Sequence, residues 1–341
     1  MDIYLSLELM LYVLISACLI VFSGFAHFFP RYYVSELFLS FSPYWIGIFF
    51  CWLVLSLIFL RRYMRRKPEM ELLPWYFKLS GLFSLCFALL FFVYAHQFSS
   101  FYLPTPAPLS ASGSTITVLF ANIHKNNEQY SGLEQLIIKT NPDVLLFVEF
   151  ADHHYEHLKT FLKARYPYIN STTWSKQFIG SMVFSKQKVE NRADNFPQWM
   201  WRYGYFSLSL NDRPYYFYLI HTSSPDSYAH FLMRNNQIAS FDKDFALHAL
   251  QRRSWSSVVV VGDFNTTPWS ASYTDIDRVF SGTLVNMSKY LPFLRTWRLF
   301  EAPFVQAHID HIWANSGLVQ WLSVLPVPGS DHLAYLFQVR Y

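Results

Sequence analysis

Three apolar runs fill the first hundred residues and constrain the fold more than anything else in the chain. They are LMLYVLISACLIVFSGFAHFF (Leu9 to Phe29), YWIGIFFCWLVLSLIFL (Tyr44 to Leu60) and YFKLSGLFSLCFALLFFVYA (Tyr76 to Ala95). Each is close to the roughly 20 residues needed to cross a hydrocarbon core of about 30 Å. The first two contain no Asp, Glu, Lys or Arg. The third contains only Lys78, near its end, where the stem can snorkel. Runs of this length bordered by Trp and Tyr predict spanning helices rather than the buried helices of a soluble core. A cleaved signal peptide is the rival for the first run. The opening MDIYLSLE has no basic residue before Arg31, and the run is longer than a usual signal core, so a spanning helix is expected.

The basic residues set the expected orientation. RRYMRRK, Arg61 to Lys67, lies between the second and third runs, whereas the first connection holds only Arg31. Positive-inside bias then makes the 61–75 loop and the N-terminus cytoplasmic and delivers everything after the third run to the outside. The net charge of +4 owes much to that loop and does not argue for a nucleic-acid partner. The three cysteines, Cys18, Cys51 and Cys86, all lie in the apolar runs, which excludes a disulfide framework or a cysteine-ligated zinc in the remainder.

Residues 1–98 are thus expected to be a membrane anchor. SSFYLPTPAPLSASGST, rich in Pro and Ser, reads as an extended linker over 99–115, and 116–341 as one soluble domain. Within the domain, strand and helix patterns alternate. TITVLFAN, DVLLFVEF, GSMVFSK, YGYFSLSL, YYFYLIH, SSVVVVGDFN, AHIDHIWAN, VQWLSVLPV and LAYLFQVRY read as strands. GLEQLIIKT, HHYEHLKTFLKARY and the stretch from Tyr228 to Leu250 read as helices. Both crossovers and hairpins are present, so mixed sheets with helices outside are expected.

Polar residues recur at the ends of these apolar strands. Asn122 ends the first and Glu149 the second; His221 ends YYFYLI; Asp263 and Asn265 follow VVVV. Asp310 and His311 interrupt HIDHIW, and Asp331 and His332 precede the last strand. Burying such groups without partners is costly, so convergence on one another, a metal or a ligand is the economical arrangement. Taken alone, Asp263 and Asn265 read as a turn after Gly262, Glu149 as a strand-end acid and His221 as a core histidine.

In order along the chain, FAN, PDVLLFVEF, GSMVFSK, IHTSSP, RNNQI, VVGDFNTTPW, IDHIW and SDH resemble the endonuclease/exonuclease/phosphatase superfamily. The anchor and linker look like a bacterial membrane-bound branch of it. The resemblance implies an α+β fold, a four-layer α/β/β/α sandwich, here preceded by three transmembrane helices. It also implies hydrolysis of a phosphate ester with Mg²⁺ or Mn²⁺. Carried onto this sequence, Glu149 and Asn122 are metal ligands, with Asp331 as a further metal or outer contact. Asp263 activates the water, Asn265 and His221 donate to phosphoryl oxygens, and His332 contacts the phosphate or polarises the water with Asp310 fixing its tautomer. Arg234 acts from behind the site or on substrate phosphate. IHKNN after Asn122 holds no acid for a second metal, so one ion is expected.

The substrate is less legible. No basic, aromatic-studded stripe stands out. FPQWMWRYGYF, Phe196 to Phe206, holds too many consecutive large apolar residues for one core face and reads partly as a rim for lipid or a substrate ring. With the anchor, this favours a phospholipid or other membrane-associated phosphodiester over nucleic acid. An inactive, membrane-tethered scaffold is the expectation from another class. His153, His154 and His157 are expected to form a solvated helix face, and His311 to be structural.

Overall fold

The computed structural model describes residues 2–65, 73–102, 113–169, 180–191, 203–251, 257–291, 294–300 and 302–341. Two compact units emerge, residues 1–102 with 269–271, and 103–268 with 272–341. Part of the basic run at 61–67, residues 103–112 of the expected linker and residues 196–202 of the aromatic segment lie outside the described residues.

The first unit is helical, with α1 (Asp2–Phe28), α2 (Tyr33–Ser40), α3 (Ser42–Arg65) and α4 (Leu73–Phe101). Met10–Phe28, Ser42–Arg61 and Lys78–Phe101 are long and apolar enough to cross a membrane. Phe49, Phe87 and Tyr94 are buried between helices, while Leu85, Leu89 and Phe92 face outward. Several polar groups inside the unit pair with one another. Trp52 Nε1 donates to Ser16 Oγ at 2.8 Å, and the Ser23 and Tyr94 hydroxyls lie 3.1 Å apart. This pattern suits helices surrounded by lipid, where interior polar atoms have no water to turn to. Helix α4 continues through Ser99, Ser100 and Phe101, which the Pro/Ser composition had placed in the linker.

The second unit has two six-stranded sheets. Its leading elements are β1 (Thr115–Asn122), α5 (Tyr130–Thr140), β2 (Val144–Phe150), α6 (Asp152–Arg165), β3 (Tyr168–Ile169), β4 (Gly180–Ser185), β5 (Val189–Asn191), β6 (Tyr203–Leu210) and β7 (Arg213–His221). There follow α7 (Tyr228–Gln251), β8 (Val258–Asp263), α8 (Ala271–Phe280), β9 (Val285–Asn286), β10 (Trp297–Arg298), β11 (Gln306–Ala307), β12 (Asp310–Ala314), β13 (Val319–Pro326) and β14 (Leu333–Arg340). One sheet runs β13-β14-β1-β2-β4-β3 and the other β5-β6-β7-β8-β12-β9; β10 and β11 form a separate hairpin.

The strands alternate as period-two geometry requires. Val118 and Phe120 of β1 face Phe217 and Leu219 of β7 and Val259 and Val261 of β8 in the core between the sheets. Leu119 and Ala121 point the other way, under Leu133 of α5 and Leu158 and Leu162 of α6. Across the second sheet, Tyr218 packs edge-on against Phe241 and Phe245 of α7. The architecture is therefore the expected four layers, helix, sheet, sheet and helix. Both sheets being covered explains why the strands read as nearly unbroken apolar runs.

Strand direction decides where the polar ends meet. β1 and β2 are parallel, as are β7 and β8, so Asn122, Glu149, His221 and Asp263 emerge at C-terminal strand ends. β12 runs antiparallel to β8 and β14 antiparallel to β1. Asp310, at the start of β12, and His332, just before β14, therefore arrive at those same edges. Gly262 is obligatory here, because a Cβ would collide with the carbonyl oxygen of Ile220, its register partner on the neighbouring β7.

Candidate active site

Asn122, the last residue of β1, joins the two sheets. Its buried Nδ2 donates to Glu149 Oε1 at 3.2 Å and to Asp263 Oδ2 at 3.0 Å, while its Oδ1 accepts from the His124 amide at 3.0 Å. Glu149 adopts a left-handed backbone conformation, φ 57°, where the β2–β4 register breaks between Phe147 and Phe150. Such strain in a non-glycine residue is retained where surrounding structure holds it. It aims the carboxylate out of the strand, and the Lys125 amide donates to Oε2 at 2.8 Å. Burial raises the Glu149 pKa, but hydrogen bonding and charge from His221, with the Lys125 amide, outweigh it and hold the carboxyl well below the usual range.

His221 Nε2 lies 3.5 Å from Glu149 Oε1 and 4.0 Å from Asp263 Oδ2. Its Nδ1 is buried with no partner among the described residues, so this is not a satisfied core histidine. Opposite it, His332 bridges two carboxylates. Nδ1 lies 2.9 Å from Asp310 Oδ2 and Nε2 3.7 Å from Asp263 Oδ2. Burial alone lowers the His332 pKa; the charges of Asp310 and Asp263 overcome that and push it up to about 10. Burial and the Asp310 charge raise Asp263 to about 6, against the opposing pull of His332 and His221.

Asn265 sits in the left-handed region at φ 47°. Its amide nitrogen donates to Asp263 Oδ1 at 2.9 Å and its Nδ2 to the Thr222 carbonyl at 3.0 Å, which leaves its second Nδ2 hydrogen for a ligand. Arg234 is buried beneath it. The guanidinium donates to the Asn265 carbonyl at 2.9 Å, to Asn235 Oδ1 at 3.0 Å and to Ser272 Oγ at 3.0 Å. Arg234 thus holds the turn from behind.

Asp331 stands apart. Oδ2 accepts from Trp297 Nε1 at 2.8 Å, and among the described residues Oδ1 is buried without a partner and no hydrogen bond or ion pair joins the side chain to Glu149 or Asn122. His311 is buried with Nε2 2.9 Å from the Thr266 carbonyl oxygen, and its pKa is lowered to about 3 by burial. The expectation of one solvated histidine face needs correction at His154. That ring is buried, accepts the Ala151 amide on Nδ1 at 2.9 Å, and is lowered to about 4 by burial. His157 is exposed and stacks on Tyr130 at 4.1 Å.

Several supporting groups carry little sequence signal. Ser330 Oγ donates to the Asn122 carbonyl at 2.8 Å and accepts the His332 amide at 3.1 Å. Thr296 Oγ1 accepts both the Ile309 and Asp310 amides at 3.0 Å. Tyr335 donates its hydroxyl to the Asp310 carbonyl at 2.7 Å. These are hydroxyls at strand ends, and only pairing across the site identifies them. A pocket of about 170 Å³ opens beside His332, lined among others by Arg295, Trp297, Arg298 and Asp331.

The donor chemistry fits a hard divalent cation. Glu149 and Asp263 confront each other across one amide NH₂, the positive end of a dipole standing between two carboxylates, and every acidic donor is oxygen. Asp263, Asp310 and His332 also offer atoms within 4.8 Å of one another. A doubly protonated imidazole has no lone pair to give, however, so that triad is better described as an ion-pair network.

Fold and site together define a metal-dependent hydrolase of phosphate esters. The profile of the Endonuclease/Exonuclease/phosphatase family matches residues 119–332, and the chain belongs to that family. No curated protein matches the sequence. Among solved structures, a humanized D. rerio TDP2 carrying 14 mutations is similar over 67% of this chain and 99% of its own, with 13% identity and a TM-score of 0.53. D. rerio TDP2 complexed with single strand DNA product is similar over 67% and 100%, with 13% identity and a TM-score of 0.51. SmcL is similar over 67% and 99%, with 12% identity and a TM-score of 0.50. At these identities the likeness is one of fold.

Proposed function

We propose that this chain is a membrane-anchored phosphodiesterase that uses Mg²⁺ or Mn²⁺ to cleave a membrane-associated phosphate ester, with a phospholipid as the leading substrate class. The carrying observation is the buried meeting of Asn122, Glu149, His221, Asp263 and His332 at one edge of both sheets. Glu149 would hold the cation, with Asn122 as a second ligand once its amide turns to present Oδ1 in place of the bond to His124. A cation there neutralises charge on the phosphoryl oxygens.

The chain's own groups divide the remaining work. Asp263, raised to about 6, is largely ionised at neutral pH yet basic enough to take a proton from the attacking water. Asn265, braced by Arg234, donates its remaining Nδ2 hydrogen to a phosphoryl oxygen as charge develops. His221 donates from the opposite side. His332, kept protonated by Asp310, offers Nε2–H to the phosphate. Asp331 would act indirectly, by fixing Trp297.

The apolar helices support anchoring in a membrane, which we assign to a bacterial inner membrane. The Arg61–Lys67 run supports a cytoplasmic N-terminus with the catalytic domain periplasmic. A nuclease is the second reading, favoured by the fold shared with the TDP2 that was captured with a DNA product. Full-length protein should be incubated with mixed phospholipids and with plasmid DNA under Mg²⁺ and Mn²⁺. Released headgroup without nicking is expected; nicking without headgroup release transfers the assignment to a nuclease.

A further inference from the structure

The hairpin formed by β10 and β11 carries an apolar tip at the mouth of the site. Leu299, Phe300 and Phe304 are 37%, 45% and 76% exposed, all within six residues. Single exposed apolar residues are ordinary, but three on one hairpin tip are not. Its described residues are tied together, since the Leu299 amide donates to the Val305 carbonyl at 2.9 Å and the Val305 amide to the Ala302 carbonyl at 2.8 Å.

The hairpin is wired into the catalytic residues. The Leu333 amide donates to the Thr296 carbonyl at 2.7 Å and the Arg298 amide to the Asp331 carbonyl at 2.9 Å, on either side of His332. Trp297 binds Asp331, Thr296 caps the entry to Asp310, and the Phe300 ring meets His124 edge-on at 5.4 Å. Arg295 and Arg298 line the pocket beside His332 and are exposed, and no acidic partner among the described residues neutralises them. A second apolar group, Tyr228, Leu232 and Met233, is exposed on the first turns of α7. That helix follows the His221 end of β7, so it starts at the same edge.

We infer that the β10–β11 hairpin docks the active site on an anionic bilayer, its apolar tip entering the interface while Arg295 and Arg298 meet lipid phosphates at the pocket mouth. For its substrate the inference rests on the phospholipid reading above. Leu299, Pro303 and Phe304 suit an acyl boundary better than base stacking, which needs aromatic platforms along a basic groove. Only residues 102–112 separate α4 from the described start of the domain, a tether of roughly 40 Å at full extension. The domain therefore works within reach of the bilayer in which α4 would sit. Docking would bring headgroup phosphates to His332 without extracting the lipid.

The test uses the full chain with Cys18, Cys51 and Cys86 replaced by Ser, reconstituted in phosphatidylcholine–phosphatidylglycerol vesicles. An environment-sensitive fluorophore is placed at Phe304→Cys, at Leu299→Cys and, as a control at the far end of β7, at Arg213→Cys. Blue-shifted emission and quenching by brominated acyl chains are expected at 304 and 299 and not at 213, weakening when phosphatidylglycerol is omitted. Phe304→Asp should lower hydrolysis of vesicle lipid about tenfold, the loss of one partly buried apolar side chain, and leave a soluble diester turned over at the wild-type rate. Water-like, unquenched emission at both tip positions overturns the docking, as does a shift produced by single-stranded oligonucleotide and not by lipid. The fluorescence does not depend on turnover, so quenching without lipid cleavage upholds docking and removes only the substrate reading.

Discussion

His332 Nδ1 lies 2.9 Å from Asp310 Oδ2, and both side chains are buried where β12 begins and β14 is about to begin. The pair is an imidazolium held against a carboxylate inside the protein, and the Asp310 backbone is tied down by Thr296 and Tyr335.

Breaking that pair by Asp310→Ala strands a buried charge and is expected to cost about 3–5 kcal/mol of stability. Asp310→Asn keeps the shape and removes the charge, so it should cost less while lowering the His332 pKa. The stabilisation from charged His332 is fully present below its ordinary 6.5, declines above it and is gone once pH passes about 10. The urea midpoint for protection from proteolysis, measured across that range, should show this alkaline decline in wild type and a flatter dependence in Asp310→Asn.

The pH–rate profile reports the base. Asp263 must be ionised to accept a proton, so activity should rise as pH climbs through about 6 and hold until His332 deprotonates near 10. A bound cation favours the carboxylate and can move the acid limb only downward. An acid limb well above 6 would remove Asp263 as the base.

Arg234 acts through Asn265 and not on substrate. Arg234→Met is expected to lower kcat about tenfold to a hundredfold by misplacing the Asn265 amide, with KM little changed. Arg234→Lys, which can still reach the Asn265 carbonyl, should recover part of kcat. A rise in KM at constant kcat would mean that Arg234 binds substrate directly.

Glu149→Gln should raise the half-saturating Mg²⁺ or Mn²⁺ concentration about tenfold to a hundredfold, and chelation should abolish wild-type turnover reversibly. A metal titration at fixed substrate separates this from a loss of fold.

The residues that meet at the site were legible because each stands at one end of an apolar strand, Asp310 and His332 at the start and the others at the finish, and the topology places those ends at one edge. GDFN followed by IDHI and SDH carried Asp263, Asn265, Asp310 and His332 through the resemblance to the family, since the strand-end pattern alone left Asp263 and Asn265 as a turn. Asp331 shares the SDH motif with His332, but adjacent residues at a strand start point apart, and it meets Trp297 instead. The hairpin that contributes Trp297 was not legible, because its strands are two residues each, too short for any periodicity. His154 was misread because its helix has a solvated face on either side of it, while its Nδ1 caps the helix start.

The most direct measurement is turnover of a simple phosphodiester by the full-length protein over a divalent-metal titration, wild type beside Asp263→Asn. The account predicts metal-dependent hydrolysis that falls about 10²- to 10⁴-fold in the variant, the usual contribution of a positioned general base. Absence of turnover with both Mg²⁺ and Mn²⁺, or turnover indifferent to Asp263→Asn, would contradict it.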